Sequence, residues 1–104
     1  MVFLTYWELN EAMSVEERQQ AALKLTSSGL FPPKGVNILR WDGTPDGWGI
    51  LLMEADSAAD IDRAINMWRA AGIGFFKSTR TAPAQPIQEI LAQTAELLKA
   101  LSSA

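Results

Sequence analysis

The stretch Asp42-Gly43-Thr44-Pro45-Asp46-Gly47 constrains this chain more than any other. Almost every position carries a residue that favours turns: glycine for positive φ, proline for a fixed φ, Asp for local side-chain hydrogen bonds. Short runs rich in β-branched and aromatic residues flank it, Val36 to Trp41 and Trp48 to Ala55. Two such runs joined by so short a link form an antiparallel hairpin. The other elements have to be arranged around that hairpin.

Residues 2–9 form a first strand by the same composition. Ser14 followed by Val15-Glu16-Glu17 gives an N-cap, a capping-box acid at Glu17 and negative charge in the first turn of a helix. That helix runs to about Ser28, with Gly29 suited to C′, and Val15, Ala22 and Leu25, with Ala21 beside them, share one face. Two prolines bar Leu30 to Gly35 from helix or central strand. Asp56-Ser57 caps a second helix, Ala58 to Ala71, closed by Gly72, with Ile61, Ile65 and Trp68 at i, i+4 and i+7 as a buried stripe. Ile73 to Thr79 is the expected fourth strand. After Pro83 and Pro86, Ile87 to Leu101 makes a last helix with Ile87, Ile90, Leu91, Thr94, Leu98 and Leu101 along one side.

Strand–helix–strand–strand–helix–strand with right-handed crossovers is the ferredoxin-like split βαβ arrangement of the α+β class. The expectation is one domain over 1–104, a core over 1–80 and a C-terminal helix within 84–104. The first and third strands are expected as parallel neighbours in the centre, with the second and fourth at the edges.

Composition narrows the chemistry. The chain has 104 residues with neither cysteine nor histidine. Disulfides, thiolate nucleophiles, zinc fingers and iron–sulfur clusters are excluded, and the commonest general base and haem ligand are missing. A net charge of −3 without a basic patch argues against a nucleic-acid partner. No apolar run approaches the roughly 20 residues of a membrane span, and the start lacks a signal peptide's charged segment. A cytoplasmic protein with no membrane partner and no cofactor is expected.

The central strands do not alternate as a half-exposed sheet should. The first offers Phe3, Thr5 and Trp7 on one side and Val2, Leu4 and Tyr6 on the other; the third offers Trp48, Ile50 and Leu52 against Leu51, Met53 and Ala55. Helices cover one face. A homodimer, sheet facing sheet, is the expected cover for the other, with the last helix clasping the partner or closing the rim.

The strand ending in Trp7-Glu8, the strand Leu51-Leu52-Met53-Glu54-Ala55-Asp56 and the helix carrying Met67-Trp68 resemble the bacterial domain-of-unknown-function family numbered 3303. The resemblance runs to about Pro83, and Asn37 to Gly43 is similar to its cyanobacterial branch. It implies a dimeric α/β-barrel-type fold without an assigned activity. Folds of that type host cofactor-free monooxygenases, isomerases, haem-handling proteins and ligand-binding regulators, an analogy that constrains function only weakly.

Two groups of residues carry candidate chemistry. Glu8 and Glu54 end the two central, parallel strands, which places the carboxylates at neighbouring positions near one end of the sheet, as an acid–base pair or as ligands for a hard cation such as magnesium. Helix capping or pairing with an Arg is the structural alternative. Arg40, Trp41, Trp48 and Lys77, with Trp7, could hold a flat anionic ligand against Trp faces. The alternative is that the basic stems snorkel over apolar surface while the rings fill core or interface. Tyr6, the only tyrosine, could polarise a ligand oxygen, and Trp68 belongs to the core. The leading expectation is a small organic ligand or protein partner, bound at the Trp-lined sheet face with Arg40 and Lys77. A cofactor-free enzyme using Glu8, Glu54 or Tyr6, and an adaptor docking through its C-terminal helix, are the alternatives.

Overall fold

The computed structural model describes residues 1–104 as β1 (Val2–Leu9), α1 (Val15–Ser27), β2 (Asn37–Gly43), β3 (Trp48–Glu54), α2 (Ala58–Ala71), β4 (Phe76–Pro83) and α3 (Ile87–Ser102). Ser14 accepts from the Glu17 amide while Glu17 reaches back to the Ser14 amide, completing the capping box. The Ser57 side chain caps α2 by accepting from the Asp60 amide. The hairpin turn closes through Thr44, whose amide and hydroxyl both donate to the Trp48 carbonyl at 2.9 Å. Gly47, at φ +78°, supplies the conformation that a side chain would resist.

The sheet order is β2-β3-β1-β4, the ferredoxin-like arrangement expected from the element order. One expectation fails: β1 and β3 are neighbours but antiparallel. The reason is topological. The α1 crossover leaves β1 and β2 parallel with one strand's width between them, and the hairpin drops β3 into that gap, reversed against both.

Period-two alternation then sorts the strands. Phe3, Thr5, Leu51 and Met53 are buried beneath α1 and α2 with Ala21, Leu25, Ile61, Ala64, Ile65 and Trp68. Thr5, the one buried polar side chain, shares a hydroxyl hydrogen bond of 2.9 Å with Thr81. Leu4 and Trp48, on the opposite face, stay about 40% exposed. Val15, expected on the buried side of α1, is exposed: it occupies the first turn, ahead of the part of the helix that meets the sheet.

The fourth strand also departs from expectation. It starts at Phe76 rather than Ile73 and runs on to Pro83, so the sheet outlasts a core ending at residue 80. Gly72 to Gly74 form a tight connection in which Ile73 is almost fully exposed, and the polar run Ser78 to Thr81 is accommodated because β4 is an edge strand. α3 follows a proline-bounded link and buries none of its residues. The molecule is 59 Å long with a radius of gyration of 17.2 Å, against about 13 Å for a compact domain of this length. No helix is long and apolar enough to cross a membrane.

Candidate functional site: an aromatic cavity between sheet and helices

On the helix-covered side the packing is incomplete. A cavity of about 340 Å³ is lined by ten residues, nine of them hydrophobic. β1 supplies Trp7 and Leu9, β2 Trp41, β3 Leu51, α2 Ile65 and Trp68, while Phe75 and Phe76 close the far end at the start of β4. α1 contributes only Ala22 and Thr26, and these short side chains leave the volume open. The space opens to solvent past Trp41 and Thr26, both exposed, and an apolar concavity of this size has the usual form of a small-molecule site.

The walls form a connected aromatic array. Trp68 meets Trp41 at 5.4 Å and Phe31 at 5.3 Å between ring centroids, both edge-to-face, and lies 5.2 Å from Phe75; Phe75 meets Phe76 at 5.0 Å. Edge-to-face pairs hold rings in fixed orientations, which keeps the space from collapsing. Trp7 lies over two glycines: a Cβ on Gly49 would fall 2.4 Å from the Trp7 ring, and one on Gly43 would fall 3.3 Å from it. From outside, the Arg69 guanidinium sits 5.8 Å from the Phe76 ring centroid and donates to Thr79 at 2.7 Å, tying the end of α2 to β4.

The lining holds no titratable side chain. Its only hydroxyl, Thr26, donates to the Ala22 carbonyl at 2.8 Å. The indole nitrogens of Trp7 and Trp68 are shielded from solvent and have no hydrogen-bond acceptor. This is a surface for an uncharged, largely apolar molecule. It has no acid or base to move a proton.

The predicted site residues are divided by the sheet. Trp7 and Trp41 line the cavity. Arg40 and Trp41 are consecutive strand residues, so Arg40 pairs across to Leu52 and stands on the opposite, open face. There it is held by Asp42, whose carboxylate hydrogen bonds and attracts the guanidinium and raises its pKa further above the ordinary arginine value. Trp48 is on that open face too, its ring 6.1 Å from Tyr6. Lys77 lies on β4, at the opposite edge from Arg40, three strand spacings or about 14 Å across the sheet and five residues or about 17 Å further along it, so the two do not grip one small ligand in the way expected.

The carboxylate pair is corrected as well. In the antiparallel register Glu8 lies opposite Trp48 while Glu54 lies opposite Val2, six residues along β1 or about 20 Å away. They cannot share a proton or a cation. Glu8 instead accepts from the Ser78 hydroxyl at 3.3 Å and lies 3.9 Å from the Lys77 ammonium. Leu9, Thr26, Phe75 and Phe76 were not singled out from the sequence. The adjacent Phe75-Phe76 pair, directly after the Gly72–Gly74 loop, was the signal available.

Among solved structures, a Bacteroides thetaiotaomicron protein provisionally described as an antibiotic biosynthesis monooxygenase is similar at 14% identity, with a TM-score of 0.56, over 83% of this chain and 88% of that one. The 5-chloro-2-hydroxyhydroquinone dehydrochlorinase of Burkholderia phenoliruptrix, in complex with 2,5-dihydroxybenzoquinone, is similar at 21% identity, with a TM-score of 0.50, over 82% of this chain and 94% of that one. At these identities the likeness establishes the shared ferredoxin-like fold alone. No curated protein matches the chain. The family model described as "Domain of unknown function (DUF3303)" matches residues 1–98, past the Pro83 limit of the sequence resemblance and into α3, and the chain belongs to that family.

Proposed function

We propose that this protein binds a small, uncharged organic molecule in the cavity bounded by Trp7, Trp41, Trp68, Phe75 and Phe76. The observation that carries the reading is the open volume of about 340 Å³ kept beneath the helices by rigid aromatic pairs on one side and by Ala22 and Thr26 on the other. Binding, without acid–base catalysis by Glu8, Glu54 or Tyr6, is what this site supports, since none of the three lines it. The test is displacement of N-phenyl-1-naphthylamine, a neutral probe whose emission rises in apolar sites. Saturable binding at one site per chain is expected, with a Kd in the micromolar range, about −8 kcal/mol. The variant Ala22→Phe should abolish it. Binding that survives Ala22→Phe, or no binding by the wild type, overturns the reading.

A second reading concerns assembly. The open sheet face presents Leu4 and Trp48, exposed, beside the half-buried Ile50 and Leu52, and α3 presents Ile87, Ile90, Leu91, Leu98 and Leu101, all exposed. A second copy supplies both covers at once: sheet against sheet, with each α3 lying on its partner's rim. Each chain then withdraws these nine apolar side chains at least partly from water, at up to roughly 1.5–3 kcal/mol for each one fully buried. Sedimentation equilibrium should give twice the chain mass at micromolar concentration. A monomer at 100 μM overturns this reading and leaves the cavity reading untouched.

A further inference from the structure

Resting on the cavity reading above, we infer that its ligand has an apolar body of about two fused rings. Any hydroxyl or other neutral polar group it carries lies on one edge, the edge left in water at the mouth between Trp41 and Thr26. The cavity has a direction. Its floor of Leu51, Ile65, Trp68 and Phe75 is buried, whereas Trp41 is 42% exposed and Thr26 is exposed, so solvent reaches the space from their side. An apolar cavity of about 150 Å³ holds one benzene. At about 340 Å³ this one has room for roughly twice that body.

The floor decides where a polar group is allowed. Nine of the ten lining residues are hydrophobic, and Thr26, the exception, gives its hydroxyl proton to the Ala22 carbonyl. The indole nitrogens of Trp7 and Trp68 are shielded even from water, so they are out of a ligand's reach as well. The backbone of β3 beneath the cavity is engaged on both sides, with β1 and with β2. A hydroxyl pushed against this floor gives up its hydrogen bonds to water and finds none in return. The same group at the mouth keeps its water, because Trp41 and Thr26 leave that edge open. The floor accepts hydrocarbon alone and the mouth accepts either. The position of a polar group on the ligand, more than its presence, therefore sets affinity.

The test uses 2,3- and 2,6-dihydroxynaphthalene, which share one composition and differ in whether the hydroxyls occupy the same end or opposite ends. Each displaces N-phenyl-1-naphthylamine from the wild-type protein, alongside naphthalene and benzene. Naphthalene should compete, and benzene should bind about tenfold more weakly, equivalent to about 1.4 kcal/mol. The 2,6-isomer has to press one hydroxyl against the floor. It should bind about thirtyfold more weakly than the 2,3-isomer, equivalent to about 2 kcal/mol. Equal affinities of the two isomers, or a preference for the 2,6-isomer, overturn this inference and leave the cavity reading standing. Benzene binding as tightly as naphthalene overturns the two-ring body. If naphthalene and both diols leave the probe in place, the inference falls while binding of the probe still upholds the cavity. Binding of either diol by a folded Ala22→Phe protein overturns the cavity reading itself.

Discussion

The two faces of the central sheet are built from the same strands and from alternate residues of similar hydrophobicity, yet they have different fates. Phe3, Leu51 and Met53 are at most 2% exposed, while their neighbours Leu4 and Trp48 are about 40% exposed. The difference lies in the cover. α1 and α2 close the first face, whereas α3, the only remaining layer, extends away from the body and covers nothing. Apolar alternation therefore states that both faces require burial, and it does not state which molecule provides it. The covered face contains the aromatic cavity and the open face contains the Arg40–Asp42 and Glu8–Lys77 pairs, so the proposed binding and the proposed assembly use opposite sides of one sheet.

The largest expected effect is on the covered face at Gly49. A Cβ there would lie 2.1 Å from the Asp42 carbonyl oxygen and 2.4 Å from the Trp7 ring, so backbone and a packed indole would both have to shift. Gly49→Ala should cost about 3 kcal/mol or more in urea unfolding and should lose ligand binding with it. Next come two consecutive residues of β3. Leu51→Ala should cost about 2–5 kcal/mol whatever the protein concentration, because its cover is intramolecular. Leu52→Ala should cost less, and its cost should grow with concentration if a second copy covers that face. Equal, concentration-independent losses at the two positions would erase the contrast between the faces.

Ala22→Phe sharpens the comparison from the other direction. It places a ring in the cavity without disturbing the strands, and filling such a space commonly stabilises a domain by about 0.5–2 kcal/mol. The midpoint of thermal unfolding should rise while probe binding disappears. A fall in stability would mean that the wall has no slack and that the space is tightly packed when folded.

Much of this was legible in the sequence, for identifiable reasons. Ser14 with Glu17, Ser57, and the turn between Asp42 and Gly47 act within a few residues, and their elements begin and end close to where that chemistry puts them. The stripe Ile61, Ile65, Trp68 is buried as its spacing requires. What local chemistry does not contain is strand direction. Glu8 and Glu54 each sit at the end of a central strand, and only the insertion of β3 between β1 and β2 decides that those ends are opposite ones. The site failed to be grouped correctly for a related reason. Arg40 and Trp41 are adjacent in sequence but point to different faces, so a cluster drawn from neighbouring residues mixed cavity and surface. The cavity itself is left open where α1 carries short side chains, Ala22 and Thr26, and a short side chain carries little signal until its neighbours are known.

The smallest expected effect is the most discriminating between a binding site and a catalytic carboxylate. Glu8 lies on the open face, its side chain one-third exposed, against Ser78 and Lys77. Glu8→Gln keeps the shape and an acceptor for the Ser78 hydroxyl while removing the charge that faces Lys77. An ion pair of this partly exposed kind contributes about 0–1 kcal/mol, so unfolding should shift little. Probe affinity should stay within about twofold, because the substitution is on the side of the sheet away from Trp7 and Trp68 and leaves the walls uncharged as before. Displacement titrations of the two proteins side by side measure this directly. A Glu8→Gln protein that folds normally but binds the probe tenfold more weakly would move the site to the open face and restore the carboxylate as a functional group. Unchanged affinity there, together with loss in Ala22→Phe, would leave only the covered face to hold the ligand.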